Sequence, residues 1–382
     1  MTENLAPKFA NSALARVKLE QAIENGLAAG RSIIPRILNE APQDEIQPAR
    51  ETSIVCTPGS VQYCTRLGVS PISDFAFAQL TDRVGGAKFA AYAAEQLALS
   101  KPKAVRGRNG QQTVDDSDAW RALHVQDLAA RHFDHASGRY LIRRVGGQVR
   151  GVLSDQFKRV DCRPMLDAFL GAVQSRGAVP AGGAITETRC VVRVLVPKIY
   201  EPTPGEFVVY GMQFANSDFG AGTYALSDFV LRLLCLNGMT GDKQLRQIHL
   251  GKRISDDIEL SAKTHALDTK TLVSATIDTV GKLISDVVLD KRTKAIGDLS
   301  KQELTFEQAV SQVGKRLSKS EREASEEIYE GPDVLNVPAG KNMWRFTNAL
   351  SFLANDEKKI PSADRRIELQ EMAGRLLPQI KG

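Results

Sequence analysis

The stretch GRYLIRRVGGQVRGVLSDQFKRVDCR gathers Arg143, Arg144 and Arg150, then Lys158, Arg159 and Arg163, with Tyr140 and Phe157 among them. Planar guanidinium groups bind phosphate oxygens bidentately, and aromatic faces accept stacked bases, so basic residues interleaved with rings suit single-stranded nucleic acid held through its backbone. Tyr140 is the first candidate platform; Phe157 reads first as a core residue. Gly146-Gly147 between two alternating runs predicts a two-residue hairpin, because glycine supplies the positive φ of the primed turns. That register sets Arg143 opposite Arg150, a repulsion of some tenths to about 1 kcal/mol. A bound phosphate would relieve it, and so would an internal carboxylate such as Asp155 or Asp161. A second basic group, GDKQLRQIHLGKR, holds Lys243, Arg246, His249, Lys252 and Arg253. On a helix Lys243, Arg246 and Arg253 share one face, which serves either a polyanion or water.

Other chemistry finds no seat. Four Gly-Lys pairs begin at residues 251, 281, 314 and 340, none followed by Ser or Thr, so a P-loop is not indicated. There is no G-x-S-x-G elbow, no H-E-x-x-H and no deaminase signature. His132, Asp134 and His135 in RHFDH lack a third ligand at defined spacing. Asp115, Asp116 and Asp118, and the pair Asp256-Asp257, lack the paired lysine of a nuclease and are explained by a solvated loop and a helix start. Five scattered cysteines without a C-x-x-C imply neither a disulfide framework nor a zinc ribbon, and Cys235, in an apolar run without a local histidine, reads as core. No cofactor, metal or catalytic group is implied.

The elements that must position these residues indicate an α+β fold. Its 382 residues suffice for two or three domains, and charge divides them unevenly. Residues 1–130 carry 14 basic and 14 acidic side chains, residues 131–253 carry 17 and 10, and residues 254–382 carry 19 and 21. The whole excess lies in the middle, the footprint of a polyanion-binding module or of a solubility device. The first segment reads as mainly helical, with a helix over the first forty residues broken by Gly30, Pro35 and Pro42, another from about Ile72 to Leu99, and an exposed, mobile loop over 100–118. The runs YLIRRV, QVRGVL, CVVRVLV and EFVVYGMQF are strands, and PMLDAFLGAV between them is a helix, giving an antiparallel sheet with a helix packed on it. After Arg253 the pattern is helical: one helix from Asp256-Asp257 toward Val288, a capping box at Ser300 and Glu303, a solvated helix or mobile stretch in KRLSKSEREASEEIYE, and a last helix from Pro361 to about Leu377. No apolar run reaches the length of a membrane span, and MTENLAPKFA lacks a signal-peptide pattern, so the expected setting is cytoplasmic, with no membrane partner. The run FVLRLLCLNGM and the long helix after Asp257 add apolar surface beyond a charged central domain's apparent need and predict a homo-oligomer.

The segment from GRYLIRRV through GMQFANSDFGAGTYALSDFVLRLLCLNGM to IHLGKR resembles the phage/plasmid-like domain-of-unknown-function family of prophages and conjugative plasmids. The likeness spans residues 138–260 and rests on Ser154, Asp155 and Phe157, with one residue inserted before the aromatic, then on Cys235, Asn237 and Gly238, then on His249, Leu250 and Gly251. It is weaker in NMWRFTNALSFLAND. The resemblance implies a mobile-element setting and no assigned reaction, and the expected core is similar at fold level to single-strand annealing proteins. The expectation is therefore single-stranded DNA binding, with annealing or recombination as its use, held by Arg143, Arg144, Arg150, Lys158, Arg159, Arg163, Tyr140, Lys243, Arg246, Lys252 and Arg253. The rival expectation is a phage structural or protein-interaction component without nucleic-acid activity.

Overall fold

The computed structural model describes residues 6–65, 68–106, 112–247, 261–332 and 337–378. Helix α1, Ala6–Asn39, runs without a break through Gly30 and Pro35. Its glycines serve packing: a Cβ on Gly26 would collide with the backbone of Pro180 and Ala181, and one on Gly30 would crowd Pro180. Four strands follow, β1 (Gln43–Pro48), β2 (Ser53–Thr57), β3 (Ser60–Thr65) and β4 (Gly68–Pro71), before helix α2 (Asp74–Leu99), which kinks at Gly86. The stretch expected as a loop over 100–118 holds strands β5 (Lys103–Arg106) and β6 (Gln112–Asp115), an exposed antiparallel ribbon. Helix α3 (Trp120–Asp134) and strands β7 (Arg139–Val145) and β8 (Gln148–Ser154) complete an N-terminal lobe. Tyr63, Leu80, Phe89, Val125, Ile142 and Val152 share its core. The sheet order β1-β7-β8 places residues before and after Ala130 in one sheet, so a boundary there cuts through the lobe; the described residues before Ala130 are mainly helical, with short strands beside α1, α2 and α3.

Helix α4 (Cys162–Gln174) opens the second lobe, built on a five-stranded antiparallel meander of β9 (Val179–Ile185), β10 (Cys190–Thr203), β11 (Glu206–Asn216), β12 (Tyr224–Arg232) and β13 (Asn237–Gln247). Alternate residues of β11 and β12 feed different cores. Phe207, Val209, Phe229 and Leu231 meet Ala15, Leu19 and Ala22 of α1, whereas Met212, Phe214, Tyr224 and Leu226 meet α4. Both faces are thus covered, which is why these strands read as nearly continuous apolar runs. FVLRLLCLNGM is the end of β12, its turn and the start of β13, with Phe229, Val230, Leu231 and Leu233 buried inside this chain.

The C-terminal part is helical. Helices α5 (Ala262–Leu283), α6 (Asp286–Leu299), α7 (Phe306–Ser311), α8 (Lys319–Glu330), α9 (Met343–Ala354) and α10 (Ala363–Arg375) pack on the sheet and on one another. The single helix expected toward Val288 is two, α5 ending at Leu283 and α6 starting at Asp286, with the Ser285 hydroxyl donating back to the Lys282 carbonyl; Asp256 and Asp257 lie outside the described residues. Ser300 closes α6, and the capping box is Thr305 with Gln308. KRLSKSEREASEEIYE forms α8, opened by a second box of Ser318 with Glu321 and anchored by buried Tyr329. Among the described residues, no helix is long and apolar enough to cross a membrane.

Candidate nucleic-acid interface

The hairpin turns at Gly146 and Gly147, with φ of 58° and 79°. Val145 pairs with Gln148 and Arg144 with Val149, as the sequence implies, but a bulge then shifts the register so that Arg143 faces Gly151. The bulged residue is Arg150. Gly151 lies against Phe219, where a Cβ would make contact at 3.4 Å, and Arg150 turns away to place its guanidinium 4.7 Å from the Phe219 ring centroid. It donates to the carbonyls of Thr186 and Glu187 at 3.1 and 2.6 Å. The expected Arg143–Arg150 opposition does not exist, and with it goes the repulsion a phosphate was to relieve.

Arg143 is 1% exposed. Its Nε donates to Asp44 Oδ1 at 2.8 Å, Nη2 to Asp161 Oδ1 at 2.6 Å, and Nη1 to the Asp218 carbonyl at 2.7 Å. Asp44 stands directly across from it on β1. Burial pushes the Asp218 carboxyl up to about 6, against the pull of Arg143. Arg144 pairs with Glu45 at 2.8 Å and donates to Thr65 Oγ1 at 2.6 Å. Arg159 takes the second oxygen of Asp44 at 2.8 Å, and Lys158 pairs with Asp268 at 2.7 Å. Tyr140 is buried in the N-terminal core, where desolvation raises its hydroxyl pKa, so it offers no face for stacking. Five of the six expected phosphate ligands are thus engaged within the protein; Arg163, on the first turn of α4, is exposed. What the sequence reading missed is the acidic strand QDEIQP, whose alternation places Asp44 and Glu45 beside these arginines.

The second basic group is on a strand, not a helix. Lys243 and Arg246 are exposed on β13, an edge of the meander, and neither forms a salt bridge among the described residues. Desolvation lowers the Lys243 ammonium pKa, Glu371 opposes this, and Arg375, Arg246 and Arg189 add to the lowering. His249, Lys252 and Arg253 lie outside the described residues.

Exposed rings occur elsewhere. Trp120 is 54% exposed on the first turn of α3, with His124 one turn on and Tyr92 of α2 beyond it, successive ring centroids being 6.2 Å apart. Leu123, three residues on from Trp120 on the same helix, is exposed too. The sequence signal was the aromatic in DAWRALH at a helix start. His132 of the RHFDH motif packs on Phe89, and no metal-ligand cluster occurs among the described residues. An open cleft of about 440 Å³ beside Arg150 mixes Arg36 with Asp74 and Glu187. No family model, curated protein or solved structure matches the chain.

Proposed function

We propose that this chain is a single-stranded nucleic-acid-binding protein of a phage or plasmid, akin to the phage/plasmid-like family it resembles, acting in the cytoplasm and serving annealing or recombination as an oligomer. The observation that carries this reading is the exposed pair Lys243 and Arg246, two cations without a salt bridge among the described residues, in the same basic run of sequence as Lys252 and Arg253. The contact moves accordingly from the hairpin to β13, with Arg163 as a further candidate. Phosphate neutralisation releases counterions, and each single-strand contact contributes a slope of about −0.7 in log K against log salt. Fluorescence anisotropy of a labelled oligonucleotide across a salt series tests the proposal. Replacing Lys243 and Arg246 by Gln should weaken binding and flatten the slope by about 1.4, while Arg150→Gln should leave the slope unchanged. Absence of salt-dependent binding would overturn the reading. A second reading, a protein-interaction or structural component, is favoured by the exposed apolar region around Trp120, Leu123 and Tyr92, since such patches mark contact surfaces.

A further inference from the structure

We propose that Cys162 and Cys190 form an oxidative modification site in which the two thiols close a disulfide between the N-terminus of α4 and the start of β10. Their sulfurs stand 2.9 Å apart, both residues are buried, and a disulfide of about 2.05 Å needs them to approach by less than about 1 Å. Both backbones are held at this spacing. The Cys162 N–H donates to Asp218 Oδ1 at 2.8 Å, and Cys190 is paired on one side with Ile185 and on the other with Asn216. The pair is also distinct in its setting. Cys56 belongs to the core of the N-terminal lobe, Cys64 is on β3, and the Cys235 thiol accepts from Arg232.

The chemistry is thiol–disulfide exchange with a low-molecular-weight disulfide such as oxidised glutathione. One cysteine loses its proton and attacks a sulfur of the oxidant, giving a mixed disulfide and one small thiolate. The second cysteine, also deprotonated, attacks the protein-side sulfur, forming the Cys162–Cys190 bond and expelling the second small thiolate. The two protons end on the two departing thiols, and the two electrons lost by the cysteines reduce the oxidant. Burial raises the Cys162 thiol well above its ordinary pKa, which keeps the thiolate scarce in the closed protein. Exchange therefore passes through the open state, before α4 docks on the sheet or when it lifts. Once closed, the bond ties α4 to the sheet beside Asp161 and Asp218, the groups that hold Arg143.

The test refolds the full chain in glutathione buffers from fully reducing to strongly oxidising, then alkylates it under denaturing, non-reducing conditions. Five cysteines should be alkylated at the reducing end and three at the oxidising end, with peptide mapping joining Cys162 to Cys190. The oxidised protein should melt a few degrees above the reduced one. Cys162→Ala and Cys190→Ala should each abolish both effects, and Cys235→Ala neither. Five alkylatable thiols at every buffer ratio, or a bond that joins any other pair, would overturn the proposal. Should an alanine variant fail to fold, the mapping of the unaltered chain decides alone.

Discussion

Asp218 is 8% exposed, with Oδ1 accepting from the backbone N–H of Cys162 and from Asn216 Nδ2. Its folded pKa, about 6, is above the unfolded value of 3.8, so between those values the folded protein holds the proton more tightly. The stabilisation this group provides is therefore present below about pH 4 and lost as pH rises through 6, amounting to at most about 3 kcal/mol. Asp218→Asn keeps the acceptor toward Cys162 and removes the titration. Urea denaturation from pH 4 to 8 should show the variant gaining on the unaltered protein as pH rises; a constant difference would mean that the carboxylate is ionised throughout. Side chains of this kind were only half legible. The arginines announced themselves in RYLIRRV, and Asp161, one of the carboxylates the sequence offered them, does pair with Arg143, but its other partners are 99 residues upstream at Asp44 and 75 downstream at the Asp218 carbonyl. Spacing along a chain carries no record of such partners, and without them a structural ion network and a phosphate site look alike.

At the level of elements, α10 lies against the edge strand β13 so closely that a Cβ on Gly374 would run into the backbone of Thr240 and Gly241. Two effects of Gly374→Ala compete. Alanine favours a helix interior by about 1 kcal/mol, whereas overpacking against backbone that cannot give way costs about 1–3 kcal/mol. The clash should win, with a net loss measurable by denaturant unfolding; a gain in stability would mean that α10 stands off the edge. Gly30 in α1 carries the same lesson, since one glycine can signal a helix end or a close approach, and only the facing β9 distinguishes them. The hairpin turn, α4, the long strands and the last helix were legible because turn chemistry and apolar period speak locally. The bulge at Arg150 was not, because the groups its side chain meets, the Phe219 ring and the carbonyls of Thr186 and Glu187, lie far along the chain. The second half of β13 was misread because Leu245 is the one apolar side chain in GDKQLRQ. β2 and β3 do alternate, with Ile54, Cys56, Val61 and Tyr63 buried, but they are too short to stand out beside long helices.

At the level of the whole molecule, the joint between the two lobes is largely polar. Arg143 on β7 reaches Asp161 and the Asp218 carbonyl, Gln79 donates to the Phe219 carbonyl at 2.9 Å, Arg150 reaches the carbonyls of Thr186 and Glu187, and the Phe75 N–H donates to Glu187. Each lobe keeps a separate apolar core, and polar interfaces between such units couple them less strongly than a shared core would. The basic residues of the hairpin thus act as a clasp, which changes what their removal should do. Were they phosphate ligands, replacing Arg143 and Arg150 together by Gln would weaken oligonucleotide binding and spare the fold. As a clasp, the same change takes from Asp44 and Asp161 their shared cation and removes the donors to three carbonyls, a loss of about 1–3 kcal/mol, since both carboxylates are partly exposed and Asp44 keeps Arg159. The loss falls on the joint and not on either core. Calorimetry of the double variant should therefore show the transition broadening or splitting into two, with a van't Hoff enthalpy below the calorimetric one. A single sharp transition at the original temperature, with weakened oligonucleotide binding, would instead return these arginines to the role of phosphate ligands.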